Sequence, residues 1–325
     1  MKRFLYLIPV LLICASLIAG SPRAETQKRY SVGFVTGLIT NPFYISMQYG
    51  AKSAADQYGI QLIWQGPQNW SAAQQTVVIN ALVSKGVDAL IVAPCDPEAL
   101  KEPLRTAAEA GVTVITVDTD IHDPDARIRV TNIASNNYLG GFEAGQALAE
   151  AIGRKGDVAL MGDIPGVNTF DERNKGFKDA IARFTDIKLV ATRNSAISPE
   201  KATRQMESLL SAHPHLAGAF AVDGGASHGS AIGIRNAGRA GTFTLVGFDA
   251  LPEQVEDLKQ GLTSMLVAQD PFAMGYLSVQ LAYDFLQGYI AKAPGNFTTG
   301  FYVVTLENLN SPETQRWLYK KEPPQ

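Results

Sequence analysis

The sequence is poor in the residues that form disulfides, bind metals or contact nucleic acids. Its 325 residues include two cysteines and four histidines. Cys14 lies in an N-terminal apolar run, so Cys95 alone is left for the rest of the chain and cannot form an intramolecular disulfide there. Lysine and arginine number 28 against 31 acidic residues, without a basic tract. These shortages exclude a disulfide scaffold and argue against a nucleic-acid partner.

The sequence also lacks a second long hydrophobic run. The first run, 4–19, follows two basic residues and precedes small residues that end at Ala24. This order is typical of a secretory signal peptide, and a run broken by Pro9 is short for a membrane-spanning helix. We therefore predict residues 1–24 as a cleaved signal peptide and expect the remaining chain in the periplasm.

Short apolar segments alternate with amphipathic segments from residue 30 onward. The predicted strands are Tyr30–Val35, Gln61–Trp64, Asp88–Ala93, Thr113–Val117, Arg127–Val130, Asp157–Met161, Lys188–Thr192, Gly218–Val222, Phe243–Gly247 and Thr263–Ala268. The predicted helices are Pro42–Tyr58, Ser71–Lys85, Glu98–Ala110, Asn137–Ile152, Asp171–Arg183, Pro199–Ala212 and Ser227–Ala237. Such alternation indicates an α/β protein with parallel sheets between layers of helices.

The strands form two successive series, the second beginning near Thr131–Ser135. Two series favour two similar lobes over a single large sheet. A long helix, Pro271–Gly288, and a last strand, Phe301–Leu306, follow the second series. Two lobes built one after the other would not need this additional helix and strand. We therefore expect the chain to cross between the lobes more than once.

The stretch Val35–Tyr44 has the features of a ligand-binding turn. A strand ends at Val35, and Asn41 and Pro42 are residue types that begin a helix. Phe43 follows directly, beside the free N–H groups of the first turn. Ligands of open α/β sheets bind just beyond the carboxyl ends of strands. The two rings that end this stretch are therefore candidate ligand contacts, with burial in the core as the alternative.

A series of short motifs resembles those of periplasmic sugar-binding proteins of the ribose-binding type. The motifs are Asn41–Tyr44, Val114–Asp118, Ile133–Gly141, Glu172–Phe177, Leu209–Pro214 and Val246–Asp249. Each motif is weakly specific alone, but all occur in the family's order between Tyr30 and Leu306. The resemblance thus covers nearly the whole chain after the predicted signal peptide.

The resemblance implies two Rossmann-like lobes joined by a three-segment hinge, the type 1 periplasmic binding protein fold, closing on one sugar. It places residues 25–134 and 270–297 in the N-terminal lobe, and 135–269 and 298–325 in the C-terminal lobe. The family positions that bind the ligand correspond to Thr36, Asn41, Phe43, Tyr44, Asp118, Arg173, Asp223, Phe248, Asp249 and Gln269. Ile164 and Ile197 match apolar contact positions more loosely.

The chemistry of these residue types supports a sugar site independently of the resemblance. Carboxylates accept hydroxyl protons, and an arginine donates from a planar fork. Aromatic rings pack on the apolar faces of a pyranose or furanose. The alternatives are that Asp118, Asp223 and Asp249 cap the helices after them and that Arg173 lies solvated on a helix face. Three carboxylates at neighbouring strand ends favour the site.

The sequence departs from the ribose-type pattern at several positions. Thr119 stands where an arginine is expected, and Asp223 replaces an asparagine. Asp120 is either a ligand contact or a turn residue, and Trp70 is either a further ring of the site or a core or surface residue. A different pentose, a hexose, a deoxysugar or a polyol therefore all stay open as the ligand.

Other functional classes find less support in the sequence. Gly225–Gly229 matches the G-x-S-x-G pattern of α/β hydrolases with Ser227 as nucleophile, but no histidine lies far enough downstream to act as its base. No dinucleotide or Walker motif is present. His213 and His215 lack a third metal ligand nearby. We expect a monomeric, non-enzymatic receptor without cofactor or metal. It would deliver its ligand to the permease of an ABC importer or, alternatively, signal occupancy to a chemoreceptor or sensor kinase.

Overall fold

A computed structural model describes residues 29–123, 127–290 and 295–325, so the predicted signal peptide lies outside the described residues. Its elements are β1 (Ser31–Val35), α1 (Pro42–Tyr58), β2 (Gln61–Gln65), α2 (Ala72–Ser84), β3 (Ala89–Val92), α3 (Lys101–Glu109), β4 (Thr113–Val117), β5 (Thr131–Ser135), α4 (Asn137–Ala151), β6 (Gly156–Met161), α5 (Asn168–Ile181), β7 (Ile187–Arg193), α6 (Pro199–Ala212), β8 (Leu216–Ala221), α7 (Gly224–Asn236), β9 (Thr244–Phe248), α8 (Pro252–Lys259), β10 (Met265–Gln269), α9 (Pro271–Leu286), β11 (Phe297–Thr299), β12 (Phe301–Val304) and α10 (Pro312–Gln315). No helix in this part of the chain is long and apolar enough to cross a membrane.

The strands form two sheets of six, as the two predicted series imply. The first has the order β11-β5-β4-β3-β1-β2 and is parallel throughout. The second has the order β12-β10-β9-β8-β6-β7, and only β12 runs antiparallel to its neighbour. Helices cover both faces, so the inner strands are continuous apolar runs such as Ala89–Val92, which is fully buried. The predicted α/β class is confirmed.

The chain passes between the two sheets three times. It leaves the first sheet after β5, and it returns after β10 through α9, which packs on α1 and β4. The last passage is at Gly300, because β11 belongs to the first sheet and β12 to the second. The expectation of repeated crossings is confirmed. The lobe boundaries stay a prediction. Two of them fall within strands of the first sheet, the one between residues 134 and 135 within β5 and the one between residues 297 and 298 within β11.

The predicted strand Arg127–Val130 is wrong, and the strand lies one step later, at Thr131–Ser135 in the first sheet. The carboxylate of Asp123 accepts hydrogen bonds from the backbone N–H groups of residues 127, 128 and 129. These N–H groups are therefore unavailable to a strand ladder. Pairing begins where Thr131 lies opposite Ile115 of β4.

Candidate functional site

A cavity lies between the carboxyl ends of the two sheets, and its empty volume of about 550 Å³ includes space that is open to solvent. Its lining comes from both lobes: Leu38, Asn41, Phe43, Tyr44, Trp70, Asp118, Thr119, Thr169, Phe170, Arg173, Ile197, Asp223, Gly224, Gly225, Asp249 and Gln269. Of the ten family positions that bind the ligand, the structure thus brings together all except Thr36 and Phe248. Of the two looser matches, Ile197 lines the cavity and Ile164 does not. Ligands of open α/β sheets occupy this position, beyond the strand ends.

The start of α1 supplies two rings to the cavity. Asn41 caps this helix, and its side chain accepts a hydrogen bond from the backbone N–H of Phe43 at 2.9 Å. Phe43 and Tyr44 pack edge to face, with 5.1 Å between ring centroids. Both are at least nine-tenths buried and belong to the first core cluster while also lining the cavity. Each ring is therefore both a core residue and a cavity-lining residue, so the two interpretations are compatible.

Asp118 follows β4 directly and projects into the cavity. The hydroxyl of Tyr44 donates a hydrogen bond to its Oδ2 at 2.9 Å. Burial raises the pKa of Asp118 to about 6, while Arg173 and the Tyr44 hydroxyl act in the opposite direction. Burial and the charge of Asp118 raise the pKa of Tyr44 well above its ordinary value. The phenol therefore stays protonated and serves as a donor to the carboxylate.

Arg173 is the only cation among the cavity-lining residues. It is 4% exposed, its Nε donates to Asn137 Oδ1 at 2.8 Å, and its Nη1 donates to the carbonyl of Val222 at 2.8 Å. Within the described part of the chain, Nη2 has no hydrogen-bond partner. The predicted alternative of a solvated arginine on a helix face is wrong. Because two nitrogens are anchored, the remaining donors are held in a fixed orientation.

Two motif glycines determine where Arg173 lies. A Cβ at Gly141 of α4 would come within 2.1 Å of the Arg173 carbonyl oxygen, and one at Gly176 of α5 within 2.0 Å of the Tyr138 carbonyl oxygen. Only glycine permits these two helices to approach backbone to backbone. The glycines of both sequence motifs thus bring Arg173 next to Asn137, its hydrogen-bond partner.

Phe248 and Thr36 lie behind the cavity lining. Phe248 is fully buried, and the Arg173 guanidinium stacks over its ring with 3.8 Å from Cζ to the ring centroid. The ring therefore supports the arginine. Thr36 is also fully buried, and its Oγ1 lies 2.0 Å from the position that a Cβ at Gly66 would occupy. Their predicted ligand contacts stay predictions that this geometry does not support.

Asp223 caps α7 with one carboxylate oxygen and leaves the other without a partner. Its Oδ1 accepts from the backbone N–H of Ala226 at 3.0 Å. Its Oδ2 is buried and has no hydrogen-bond partner among the described residues. Burial raises the pKa of Asp223 to about 7, and the neighbouring charge of Asp249 adds to the increase. The capping and ligand-binding interpretations are therefore compatible, one for each oxygen.

Asp249 and Gln269 form a hydrogen-bonded pair at the ends of β9 and β10. Gln269 Nε2 donates to Asp249 Oδ1 at 2.7 Å, and the backbone N–H of Gly224 donates to Oδ2 at 3.0 Å. Gln269 Oε1 in turn accepts from the Ser135 hydroxyl at 2.9 Å. Ser135 ends β5 of the first sheet, so this chain of bonds joins the two lobes at a crossing.

Sequence reasoning missed several cavity residues and named others only as open alternatives. Trp70 lines the cavity and also packs against the first core cluster, so its two interpretations are compatible. Thr119 lines the cavity in place of the arginine expected there. Thr169 and Phe170 lie in the first turn of α5 and were missed because no family motif covers them. Asp120 does not line the cavity: its carboxylate accepts from Arg129 and from Thr116. The geometry therefore does not support a ligand contact for Asp120.

The hydrolase alternative fails on accessibility. Ser227 is fully buried within α7, and its Oγ lies 2.2 Å from where a Cβ of Gly247 would be. The neighbouring His228 instead contacts Asp257, with 2.7 Å between Nδ1 and Oδ2. Among the described residues, no cluster of histidine, cysteine and acidic side chains could hold a metal ion.

Several known proteins share this sequence pattern. The chain is 30% identical over 264 residues to the ribose import binding protein of Bacillus subtilis, covering 81% of this chain and 83% of that protein. It is 27% identical over 313 residues to the D-ribose/D-allose-binding protein of Pseudomonas aeruginosa, covering 93% of this chain and 96% of that protein.

Solved structures share the architecture. An ABC transporter solute-binding protein from Agrobacterium vitis bound with α-D-tagatopyranose superposes with a TM-score of 0.86 at 37% identity, covering 90% of this chain and all of that one. A second from the same organism, with bound D-fucose, has a TM-score of 0.83 at 27% identity, covering 89% of this chain and all of that one.

The family comparison agrees with the geometry of the cavity. The family model described as periplasmic binding protein domain matches residues 32–290, most of the chain. The relatives of this chain include sugar-binding proteins of ABC importers. The two sheets correspond to the two lobes of the solved solute-binding proteins. The chain therefore belongs to the periplasmic binding protein domain family and has the type 1 periplasmic binding protein fold.

Proposed function

We propose that this protein captures one neutral monosaccharide or polyol between its lobes and delivers it to the permease of an ABC importer. The observation that carries the proposal is the cavity, which Asp118 of one lobe and Arg173, Asp223 and Asp249 of the other line together. A polyhydroxylated ligand can donate to the carboxylates and accept from the arginine at once.

The charge of the cavity supports a neutral ligand over an anionic one. Its charged lining residues are three carboxylates and the single guanidinium of Arg173. Arg173 has already donated two N–H groups to protein acceptors. A sugar acid or sugar phosphate would bring further negative charge into a desolvated site, and like charges there repel strongly.

The aromatic residues support a ring-shaped ligand. Phe43 and Trp70 line the cavity from the first lobe and Phe170 from the second. Rings on both sides can pack against the apolar C–H faces of a furanose or pyranose. The α-D-tagatopyranose bound to the relative at 37% identity supports a monosaccharide of this size. Pentoses, hexoses, deoxysugars and polyols are all within the proposed class.

The family and the N-terminal sequence support a periplasmic address. We propose that residues 1–24 are removed on export, that residues 25–325 act as a monomer, and that the lobes are the predicted ranges. We also propose that the protein is not an enzyme. The bound sugar should be recovered chemically unchanged, which NMR of the released ligand checks.

A ligand screen tests the proposed class directly. Purified residues 25–325, unfolded and refolded to remove carried-over ligand, are heated with D-ribose, D-allose, D-tagatose, D-fucose, D-arabinose, polyols and the matching uronic acids. A neutral ligand at about 100 times its Kd should stabilise the folded state by about 2.7 kcal/mol, which raises Tm by several degrees. Stabilisation by the uronic acids alone, or by no compound, would contradict the proposal.

Delivery needs a separate measurement with the membrane partner. The cognate ATPase and permease are reconstituted in proteoliposomes, and the sugar-loaded protein is added. We expect it to stimulate ATP hydrolysis and sugar uptake, whereas the Asp249→Asn variant should do neither at the same sugar concentration. Full binding without stimulation of transport would contradict the delivery role while leaving the receptor role intact.

A further inference from the structure

The last residues of the chain contact both lobes behind the cavity. We call residues 305–325 the C-terminal segment. Its Tyr319 is 5% exposed, and its ring packs on Phe43 of the first lobe with 5.6 Å between centroids. The backbone N–H of Tyr319 donates to the carbonyl of Ala250 in the second lobe at 3.2 Å. The next residue, Lys320, donates its backbone N–H to the Ser46 hydroxyl of α1 at 2.7 Å.

The phenol of Tyr319 reaches two residues of the cavity lining. It accepts a hydrogen bond from the backbone N–H of Gln269 at 3.0 Å and donates one to Asp249 Oδ1 at 3.2 Å. The same oxygen accepts from Gln269 Nε2, and the other carboxylate oxygen accepts from the N–H of Gly224. Tyr319 does not itself line the cavity.

The protein donors around the Asp249 carboxylate fix the direction of its one remaining acceptor position. A carboxylate offers about four acceptor positions, and three are taken by protein donors. Burial and the charge of Asp249 raise the pKa of Tyr319 well above its ordinary value, so the phenol stays a donor. Asp249 also has a left-handed backbone, with φ of 78°, which places its carboxylate toward both the cavity and Tyr319.

We propose that Tyr319 is a positioning residue of the ligand site, through which the C-terminal segment holds Asp249 and Gln269 in their binding orientation. The inference rests on the proposed function, because it assigns a role within the same sugar site. Without the phenol, the buried Gln269 N–H loses its acceptor and Asp249 Oδ1 keeps a single donor. The carboxylate can then rotate, and its contact with a ligand hydroxyl weakens.

The test uses Tyr319→Phe, which removes one oxygen and keeps the ring on Phe43. Tyr302→Phe is the matched control, since the Tyr302 ring stacks on Trp317 of the same segment and its hydroxyl has no hydrogen bond to a described residue. Calorimetry with D-ribose, D-allose, D-tagatose, D-fucose and D-arabinose measures Kd for each. For the sugars that bind the wild type, we expect affinity about tenfold lower in Tyr319→Phe and within about twofold in Tyr302→Phe.

A second readout separates positioning from general loosening. The tightest of these sugars is compared with its monodeoxy analogues in both variants. In Tyr319→Phe, the affinity loss should disappear for the one analogue that lacks the hydroxyl bound by Asp249. A merely structural role would lower the affinity for every analogue equally, and that result would overturn the proposal.

A third readout needs no ligand and keeps the two proposals distinguishable. The backbone amide of Gln269 should exchange its hydrogen slowly in the wild type and in Tyr302→Phe, and at least about tenfold faster in Tyr319→Phe. If no sugar binds the wild type, the proposed function fails and this exchange decides whether Tyr319 holds Gln269. Unchanged exchange, or unchanged sugar affinity in Tyr319→Phe, overturns the positioning role.

Discussion

Asp118 and Asp249 have the same strained backbone conformation at equivalent places in the two sheets. Each directly follows a strand, with φ of 63° for Asp118 and 78° for Asp249. In each, the backbone N–H donates to a carbonyl of the neighbouring strand, that of Ile133 at 2.8 Å and that of Val267 at 2.9 Å. A left-handed residue other than glycine costs about 1 kcal/mol or more and persists where its side chain is needed. Both carboxylates reach the cavity through this geometry.

The strain at Asp249 predicts that two variants with the same loss of binding differ in stability. Asp249→Gly removes the carboxylate and relieves the left-handed backbone, whereas Asp249→Ala removes the carboxylate and keeps the strain. We expect both to lose sugar binding by about 2–5 kcal/mol, because the carboxylate acts in a desolvated cleft. We expect the glycine variant to unfold at a higher temperature than the alanine variant. Calorimetry and thermal unfolding of the two variants check this. Sugar affinity equal to that of the wild type in either variant would show that Asp249 does not bind the ligand.

At Arg173, we predict that sugar binding needs the planar shape of the guanidinium as well as its positive charge. Arg173→Lys keeps the positive charge, but an ammonium cannot stack on Phe248 and bond Asn137 and Val222 in the same fork. We expect it to lose affinity for the sugar nearly as fully as Arg173→Ala. Lys178→Ala removes an exposed cation from the same helix and should leave Kd unchanged. Affinity in Arg173→Lys within about twofold of the wild type would show that charge alone suffices.

The strand pattern and most of the site could be predicted because both are properties of short segments. Apolar runs such as Ala89–Val92 identify buried strands, and residues directly after them, such as Asp118 and Asp249, fall at the sheet edge where ligands bind. The three-residue strand Phe297–Thr299 was missed because it is too short and polar to show a pattern. Its place in the first sheet depends on pairing with β5, far away in sequence.

The site residues that were predicted wrongly or not at all depend on tertiary contacts. Phe248 follows the family motif, yet Arg173 lies over its ring and separates it from the cavity. Tyr319 lies some 50 residues from Gln269 in sequence, and nothing in its local pattern indicates a role beside Asp249. Phe170 reaches the cavity only because α5 begins there. Short motifs locate strand ends, but they do not show which side chain packs in front of another.

The raised pKa of Asp223, about 7, predicts pH-dependent binding. A sugar hydroxyl donating to Oδ2 favours the ionised carboxylate, so binding releases the proton that the unliganded site holds below pH 7. Affinity should therefore rise with pH up to about 7, by at most about tenfold per pH unit for this group. Asp223→Asn cannot ionise and should flatten this part of the profile. Calorimetry from about pH 5 to about pH 8, a range of roughly three units that brackets this pKa, checks it.

The same pKa shift has the opposite sign for the stability of the unliganded protein. Asp223 binds its proton more tightly when folded than in the unfolded chain, where its ordinary pKa is 3.8. Its contribution to the free energy of unfolding thus falls as pH rises from 3.8 to about 7. Relative to Asp223→Asn, unliganded wild type should lose Tm over that range. A loss of Tm equal in both proteins would assign the effect to other groups.

The hydrogen bond between Asp120 and Asn168 predicts a residue that controls lobe closure without contacting the ligand. The backbone N–H of Asp120, in the first lobe, donates to Asn168 Oδ1 at the start of α5 in the second lobe, at 3.1 Å. Neither residue lines the cavity. The resemblance implies that the lobes close on the sugar, and we expect this bond to join them in that closed state. Asn168→Ala removes the bond, so sugar affinity should fall by the net worth of one hydrogen bond, about 0.5–1.5 kcal/mol or two- to tenfold.

The matched control for this closure test is Asn236→Ala, which breaks a 2.7 Å bond to Glu207 within the second lobe and should leave Kd unchanged. Small-angle scattering at a sugar concentration near the wild-type Kd should show a larger radius of gyration for Asn168→Ala than for the control, because fewer molecules are closed. At saturating sugar the two profiles should coincide, since the ligand then holds both variants closed. Profiles that coincide at both concentrations would mean that this bond does not contribute to closure.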